Sequence, residues 1–338
     1  MILNTWSITS VFLAGVGILL SLAIIVVSTV GRFVSVRGVC DPGRDEPADR
    51  VHLLVLLVSV LTGVRLIAWP HFYWLLKSLV AGLSSLGVMC AYGVARLNPF
   101  LVTPIHLLKP AALTALGFAL VASRSRPSAT DRGSLWRGSM PAIVAAVLVI
   151  AECTLEGVYV FREKSGQQIT CCTQFIDTRS ADAAILSVSP ALRELSAGST
   201  GIVAWTAGTL AMIAATAGLA RANARDRWVT RIWIPGALSL LGAGNLFLTG
   251  RVWSDTVAPR VLQLPYHHCV YELITDVPAM TLAALVAVAG HACLLWPVGL
   301  QLLRGSASPA VASEQGPIYG FCALALATEL LIVIVHLV

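Results

Sequence analysis

Nine apolar runs of near-bilayer length, separated by polar segments, constrain this chain more than any other feature. A hydrocarbon core about 30 Å thick takes about 20 residues of helix to cross. The runs lie at approximately 8–30, 51–69, 72–95, 100–121, 140–161, 200–220, 231–249, 277–298 and 317–338. They predict an all-α, polytopic integral membrane bundle of about nine transmembrane helices, forming one membrane domain over 1–338. Two longer extracytoplasmic loops, 162–199 and 250–276, are expected to form a Cys/His cap. The runs 51–69 and 72–95 are parted only by Trp69-Pro70-His71. Together they are too long for one crossing, and proline breaks helices, so two helices with a tight turn are expected.

Composition excludes the common alternatives. Hydrophobic residues make up 57% of the chain and charged ones 12%, with a mean hydropathy of +0.81. A soluble domain carries about 25% charge. A disordered chain, a coiled coil and an ordinary soluble enzyme are therefore excluded. The net charge of +6 resides in arginine clusters between apolar runs, as expected of loops against anionic lipid. There is no aromatic–basic interleaving of a nucleic-acid module. The expected partners are the lipid bilayer and other membrane or periplasmic subunits, and not nucleic acid.

The first run reads as a retained helix rather than a signal peptide, because Met1 to Ser10 contains no Lys or Arg. Segments 122–139 and 221–230 are rich in arginine (Arg124, Arg126, Arg132, Arg137; Arg221, Arg225, Arg227, Arg231). Two crossings separate them, so they share a side, and the positive-inside rule makes it cytoplasmic. Arg65 and Lys77 are expected to flank the turn near residue 70 and snorkel to that face. With nine crossings, the N-terminus is cytoplasmic and the C-terminus outside, in a bacterial inner (plasma) membrane. The 23 Lys and Arg divide evenly between the two sides, Lys109 aside, so the assignment rests on their density in short loops.

Eight cysteines split into two sets. Cys90, Cys153, Cys293 and Cys322 fall in apolar runs and read as small hydrophobes. Cys40, Cys171, Cys172 and Cys269 fall in outer loops, where two disulfides are the structural expectation. The sharper reading takes Cys171, Cys172, His267, His268 and Cys269 as metal ligands or redox thiols, because thiolate and imidazole together suit copper or zinc. Asp177, Glu272 and Asp276 are candidates to orient a histidine from behind. The paired C-x-x-C spacing of zinc sites and thiol oxidoreductases is missing.

Polar groups in the apolar runs form a third candidate set. Charge in mid-membrane is expensive and marks function more often than in soluble proteins. His106 and Lys109 share a turn before Pro110, and Glu152 and Glu156 share a helix face. Lys109 is expected to pair with Glu152, either as a structural lock or as part of a polar track. His106 and His291 are candidate axial ligands to haem b. Asn245 and Glu329 are further intramembrane polar residues. Gly242-Ala243-Gly244 reads as close helix packing. Trp69, Trp74, Trp136, Trp228, Trp233, Trp253 and Trp296 read as an interfacial belt.

No nucleotide-binding, serine-hydrolase or metalloprotease motif occurs. Three functions remain. The first is a membrane protein whose Cys/His cap binds metal or takes part in redox chemistry within a larger complex. The second is a transporter or channel with a disulfide-stapled cap. The third is a non-catalytic anchor or assembly factor.

Overall fold

The computed structural model describes residues 4–36, 46–124, 132–162, 198–222, 233–264, 268–304 and 309–337. Among them there is no β-strand, and the polytopic all-α bundle stands. Among the described residues, seven helices are long and apolar enough to cross a membrane. Their exposed side chains include large apolar ones, among them Phe12, Leu19, Leu56, Leu210, Leu302 and Leu331, as a surface against lipid requires.

The described helices are α1 (Thr5–Val36), α2 (Glu46–Leu79), α3 (Ala91–Leu97), α4 (Pro99–Arg124), α5 (Arg132–Phe161) and α6 (Gly198–Arg221). Then follow α7 (Trp233–Val252), α8 (Ala258–Val261), α9 (Val270–Asp276), α10 (Pro278–Cys293), α11 (Trp296–Arg304) and α12 (Pro309–Leu337). The chain divides into two units. One comprises Met1–Leu75 with Asn98–Glu163, the other Leu76–Leu97 with Lys164–Val338.

The expected helix pair 51–69 and 72–95 is a correction. A single helix, α2, runs through Pro70 to Leu79. Pro70 removes only its own N–H, whereas a turn in apolar surroundings would strand several backbone groups. The chain leaves the helix beyond it, where Ala81–Leu86 forms a 3₁₀ turn closed by Gly87 at φ 78°, a left-handed angle suited to glycine. The run 231–249 is present as the 20-residue α7. It is not among the seven apolar spans.

In the first unit α1, α2, α4 and α5 alternate in direction. Asn4 caps α1, its Oδ1 accepting the Ser7 amide at 2.8 Å. The start of α1 meets the end of α2, where the Trp6 ring lies 5.2 Å from His71. α1 and α4 both pack along α5. Ala112, Leu116, Ala119, Ala142, Ala145, Ala146 and Val149 fill their core. Small residues let the helices approach closely without an aqueous hydrophobic drive.

In the second unit α6 packs on α7 and α12, and α10 packs on the same two helices. Gly242 permits the α7 crossing: a Cβ there would stand 2.5 Å from Leu294 Cδ1. Gly244 meets nothing within 4 Å, so only one glycine of that pair serves packing. Trp69 and Trp253, expected in an interfacial belt, are buried within protein, while Trp233 is exposed.

Candidate functional site

The first unit carries a buried charge quartet. Lys109 Nζ donates to Glu152 Oε1 at 2.7 Å and to Glu156 Oε2 at 2.6 Å. Arg65 Nη2 pairs with Glu152 and lies 3.5 Å from Glu156. Ser10 Oγ donates to Glu156 at 2.6 Å. The two acids face one way because they are one turn apart on α5. Two cations and two anions balance, which is the condition for burying charge without an uncompensated ion. Arg65 was expected to snorkel beside a turn. It lies mid-helix instead, 2% exposed, because α2 does not turn at residue 70.

The quartet is not saturated. Nε and Nη1 of Arg65 have no hydrogen-bond partner. Gly17 accounts for the space beside them: a Cβ there would stand 2.8 Å from Cys153 Sγ and 3.5 Å from Arg65 Nη1. Cys153 is a free, buried thiol. Aromatic rings lie alongside. Lys109 Nζ sits 4.9 Å from the Phe72 ring, and His106 stacks edge-on against Phe72 and Tyr73.

The second unit brings together Cys90, Cys269 and Glu272, whose ligand atoms all lie within 4.8 Å of one another. Local structure explains the cluster. Cys269 immediately precedes α9, its carbonyl accepting the Leu273 amide at 3.1 Å. Glu272 occupies the third helical position, from which a capping-box carboxylate reaches back to the residue before the helix. Cys90 precedes α3 in the same way, its carbonyl accepting the Val94 amide at 3.3 Å. Tyr92 and Tyr271 hold the two helix starts together edge to face at 5.9 Å. Arg96 stacks over Tyr92 at 5.9 Å. An ion pair joins Lys77 to Asp276.

Both thiols are buried, and neither is in a disulfide. The Cys269 thiol is held below its ordinary titration range by the hydrogen bond from Cys90, with the backbone amides of Glu272 and Tyr271 acting the same way. Burial and the Glu272 charge oppose this. The trio therefore offers two sulfur ligands and one oxygen ligand.

Of the residues predicted for the cap, Cys40, Cys171, Cys172, His267 and Asp177 lie outside the described residues. His268 is not a member of this trio. Its Nδ1 lies 3.0 Å from the Ser254 carbonyl oxygen, and Ser254 Oγ donates to the His268 carbonyl at 3.2 Å. Ser254 lies in the π-helical turn Trp253–Val257, a wider turn of the kind found at functional positions. Cys269 makes no disulfide. Glu272 stands in the cluster itself rather than behind a histidine, and Asp276 pairs with Lys77. Cys90, read as a helix-buried hydrophobe, precedes a short helix instead. The spacing Cys269-x-x-Glu272 carried the signal; the partnership with Cys90 was hidden by the helix assigned to 72–95.

His291 is engaged at both ring nitrogens. Its Nδ1 lies 2.7 Å from the Ala287 carbonyl and its Nε2 3.2 Å from Asn245 Nδ2. A haem iron would have to displace Asn245 to bind there. Asn245 also donates to Thr209 Oγ1 at 3.1 Å, and Trp205 donates to Thr249 at 2.9 Å. No protein family matches this chain, and neither does any curated protein or solved structure.

Proposed function

We propose that this multi-pass membrane protein holds a thiophilic metal ion through Cys90, Cys269 and Glu272. The observation that carries the reading is the convergence of two thiols and a carboxylate within 4.8 Å. Thiolates favour zinc and Cu(I), and a carboxylate oxygen favours zinc of the two. Three protein ligands leave the fourth tetrahedral position for water or another donor, which is how catalytic zinc sites are built. Such a metal lowers the proton affinity of bound water and polarises a carbonyl or phosphoryl oxygen. The lowered titration of Cys269 supports the reading, since the thiolate is the form that ligates.

The test is metal content after purification in zinc-supplemented medium. One zinc per chain is expected. Cys90→Ser and Cys269→Ser should each abolish it, and Glu272→Gln should weaken it by about 10- to 100-fold. Zinc retained in both serine variants overturns the assignment.

A transport function is the second reading. It is favoured by Arg65, a buried cation with two unspent donors inside the membrane-spanning part of the chain. Loss of substrate flux in Arg65→Gln, with folding intact, tests it.

The single α2 also bears on orientation. With α1, α2, α4 and α5 alternating, the helix positions Arg32, Arg50, Arg124, Arg132 and Arg137 fall at one end of the first unit. We assign that end to the cytoplasm by the positive-inside rule. The start of α1 then lies on the opposite side, inverting the expectation drawn from nine helices.

A further inference from the structure

Glu329 belongs to the buried stripe of α12 that runs through Cys322, Ala325, Leu326, Leu330 and Val333. It is fully buried, and neither carboxyl oxygen has a hydrogen-bond partner. Every other buried acid described here, Glu152 and Glu156, is ion-paired. A carboxylate without a cation or a donor in apolar surroundings costs several kcal/mol, so such a group keeps its proton.

Helix register brings a proton acceptor to an adjacent level of the neighbouring helix. α10 and α12 run antiparallel. A Cβ on Gly290 would stand 3.1 Å from Leu326 and 3.3 Å from Ala325, so these positions face each other. At equal rise along both helices, Glu329 falls opposite Ala287, one turn from His291. Side chains lean toward the N-terminus of their own helix. On antiparallel helices Glu329 and His291 therefore lean toward each other. On α6, Ala220 faces Gly316 and Gly320. The same count brings Thr209 to the level of Glu329, and Thr209 accepts from Asn245, the residue that contacts His291 Nε2.

We propose that Glu329 and His291 form an internal proton-exchange pair, the core of a relay across this helical unit. The Asn245 amide releases His291 Nε2. The Glu329 O–H bond then breaks as an N–H bond forms at Nε2, leaving a carboxylate facing an imidazolium. The imidazolium keeps its Nδ1–H on the Ala287 carbonyl throughout, and the reverse transfer restores both neutral groups. Of the other titratable residues on the packed elements, Arg221 ends α6, Arg251 pairs with Asp255 at the end of α7, Arg260 is an exposed residue of α8, Arg304 ends α11 and His336 lies near the end of α12, whereas the buried thiols of Cys293 and Cys322 meet across α10 and α12 and the buried Tyr319 lies about three turns before Glu329. The inference does not depend on the metal reading, which concerns different residues.

The test uses the full chain in lipid vesicles. Infrared spectra should contain the carbonyl stretch of a neutral carboxylic acid, and Glu329→Gln should remove it. In D₂O that band should shift as the proton exchanges, and His291→Gln should slow the shift about a hundredfold, the scale of a lost proton acceptor. A membrane-permeant carbodiimide, which attacks neutral acids, should label Glu329 in the unsubstituted protein, a readout that needs no variant. Three results overturn the proposal: no label on Glu329, no band lost in Glu329→Gln, or an exchange rate that His291→Gln leaves unchanged.

Discussion

Cys269 and Glu272 are joined by a single helical turn: the thiol precedes α9, the carboxylate sits in its first turn, and the two come within 4.8 Å. Cys90 completes the trio from the start of another short helix. Because Cys90 donates to Cys269, the Cys269 thiolate forms at a lower pH than an ordinary cysteine's. The sign follows directly. Alkylation by a small thiol reagent should keep its rate further into neutral pH, and Cys90→Ala should move that profile upward. Mass spectrometry of the labelled peptide across a pH series checks this. An unshifted profile in Cys90→Ala would remove the hydrogen bond as its cause.

The quartet in the first unit should behave as one balanced object. Glu152→Ala leaves Arg65 and Lys109 facing a single carboxylate, and breaking a buried pair in this way costs about 3–5 kcal/mol. Removing opposite charges together, in Arg65→Met with Glu152→Met, keeps Lys109 paired with Glu156. The double variant should be more stable than the sum of its single changes, with a coupling of about 0.5–3 kcal/mol. Thermal unfolding in detergent measures all three proteins.

Gly17 should not tolerate a side chain. A Cβ there meets Cys153 Sγ at 2.8 Å, and both residues are buried. Gly17→Ala is expected to cost about 1–3 kcal/mol by overpacking. Cys153→Ala, by removing the sulfur, should restore most of the loss. Melting temperatures of the two single variants and their combination decide the matter.

The orientation assigned to the first unit predicts that a cysteine introduced beside Trp6 is labelled by an impermeant reagent from outside intact cells. A cysteine placed among the arginines between α4 and α5 should be protected until the membrane is permeabilised. The opposite pattern would restore the nine-helix orientation.

Much of the architecture was legible because lipid leaves few alternatives: an apolar run of bilayer length must be helical to satisfy its own backbone. The same rule explains where the reading failed. In water a helix commonly ends before a proline, yet a helix in hydrocarbon continues through one, as α2 does through Pro70, because a turn would strand more groups. That one junction hid the burial of Arg65 and displaced Cys90 into an imagined helix. The pairing of Lys109 with Glu152 was readable from depth and neighbouring helices alone. The meeting of Cys90 with Cys269 was not, since a contact between segments so distant in sequence leaves no spacing to read. The contact of His268 Nδ1 with the Ser254 carbonyl, across a π-helical turn, had no signature in the sequence either.

The continuity of α2 also carries a geometric demand. At about 1.5 Å per residue, its 34 residues make a rod about 51 Å long, whereas fatty-acyl chains cover only about 30 Å of it. A rod of that length is accommodated by inclination or by protruding past the headgroups, and each ångström of misfit costs a fraction of a kcal/mol. Organelle or vesicle membranes of greater thickness should therefore suit this protein better than thin ones.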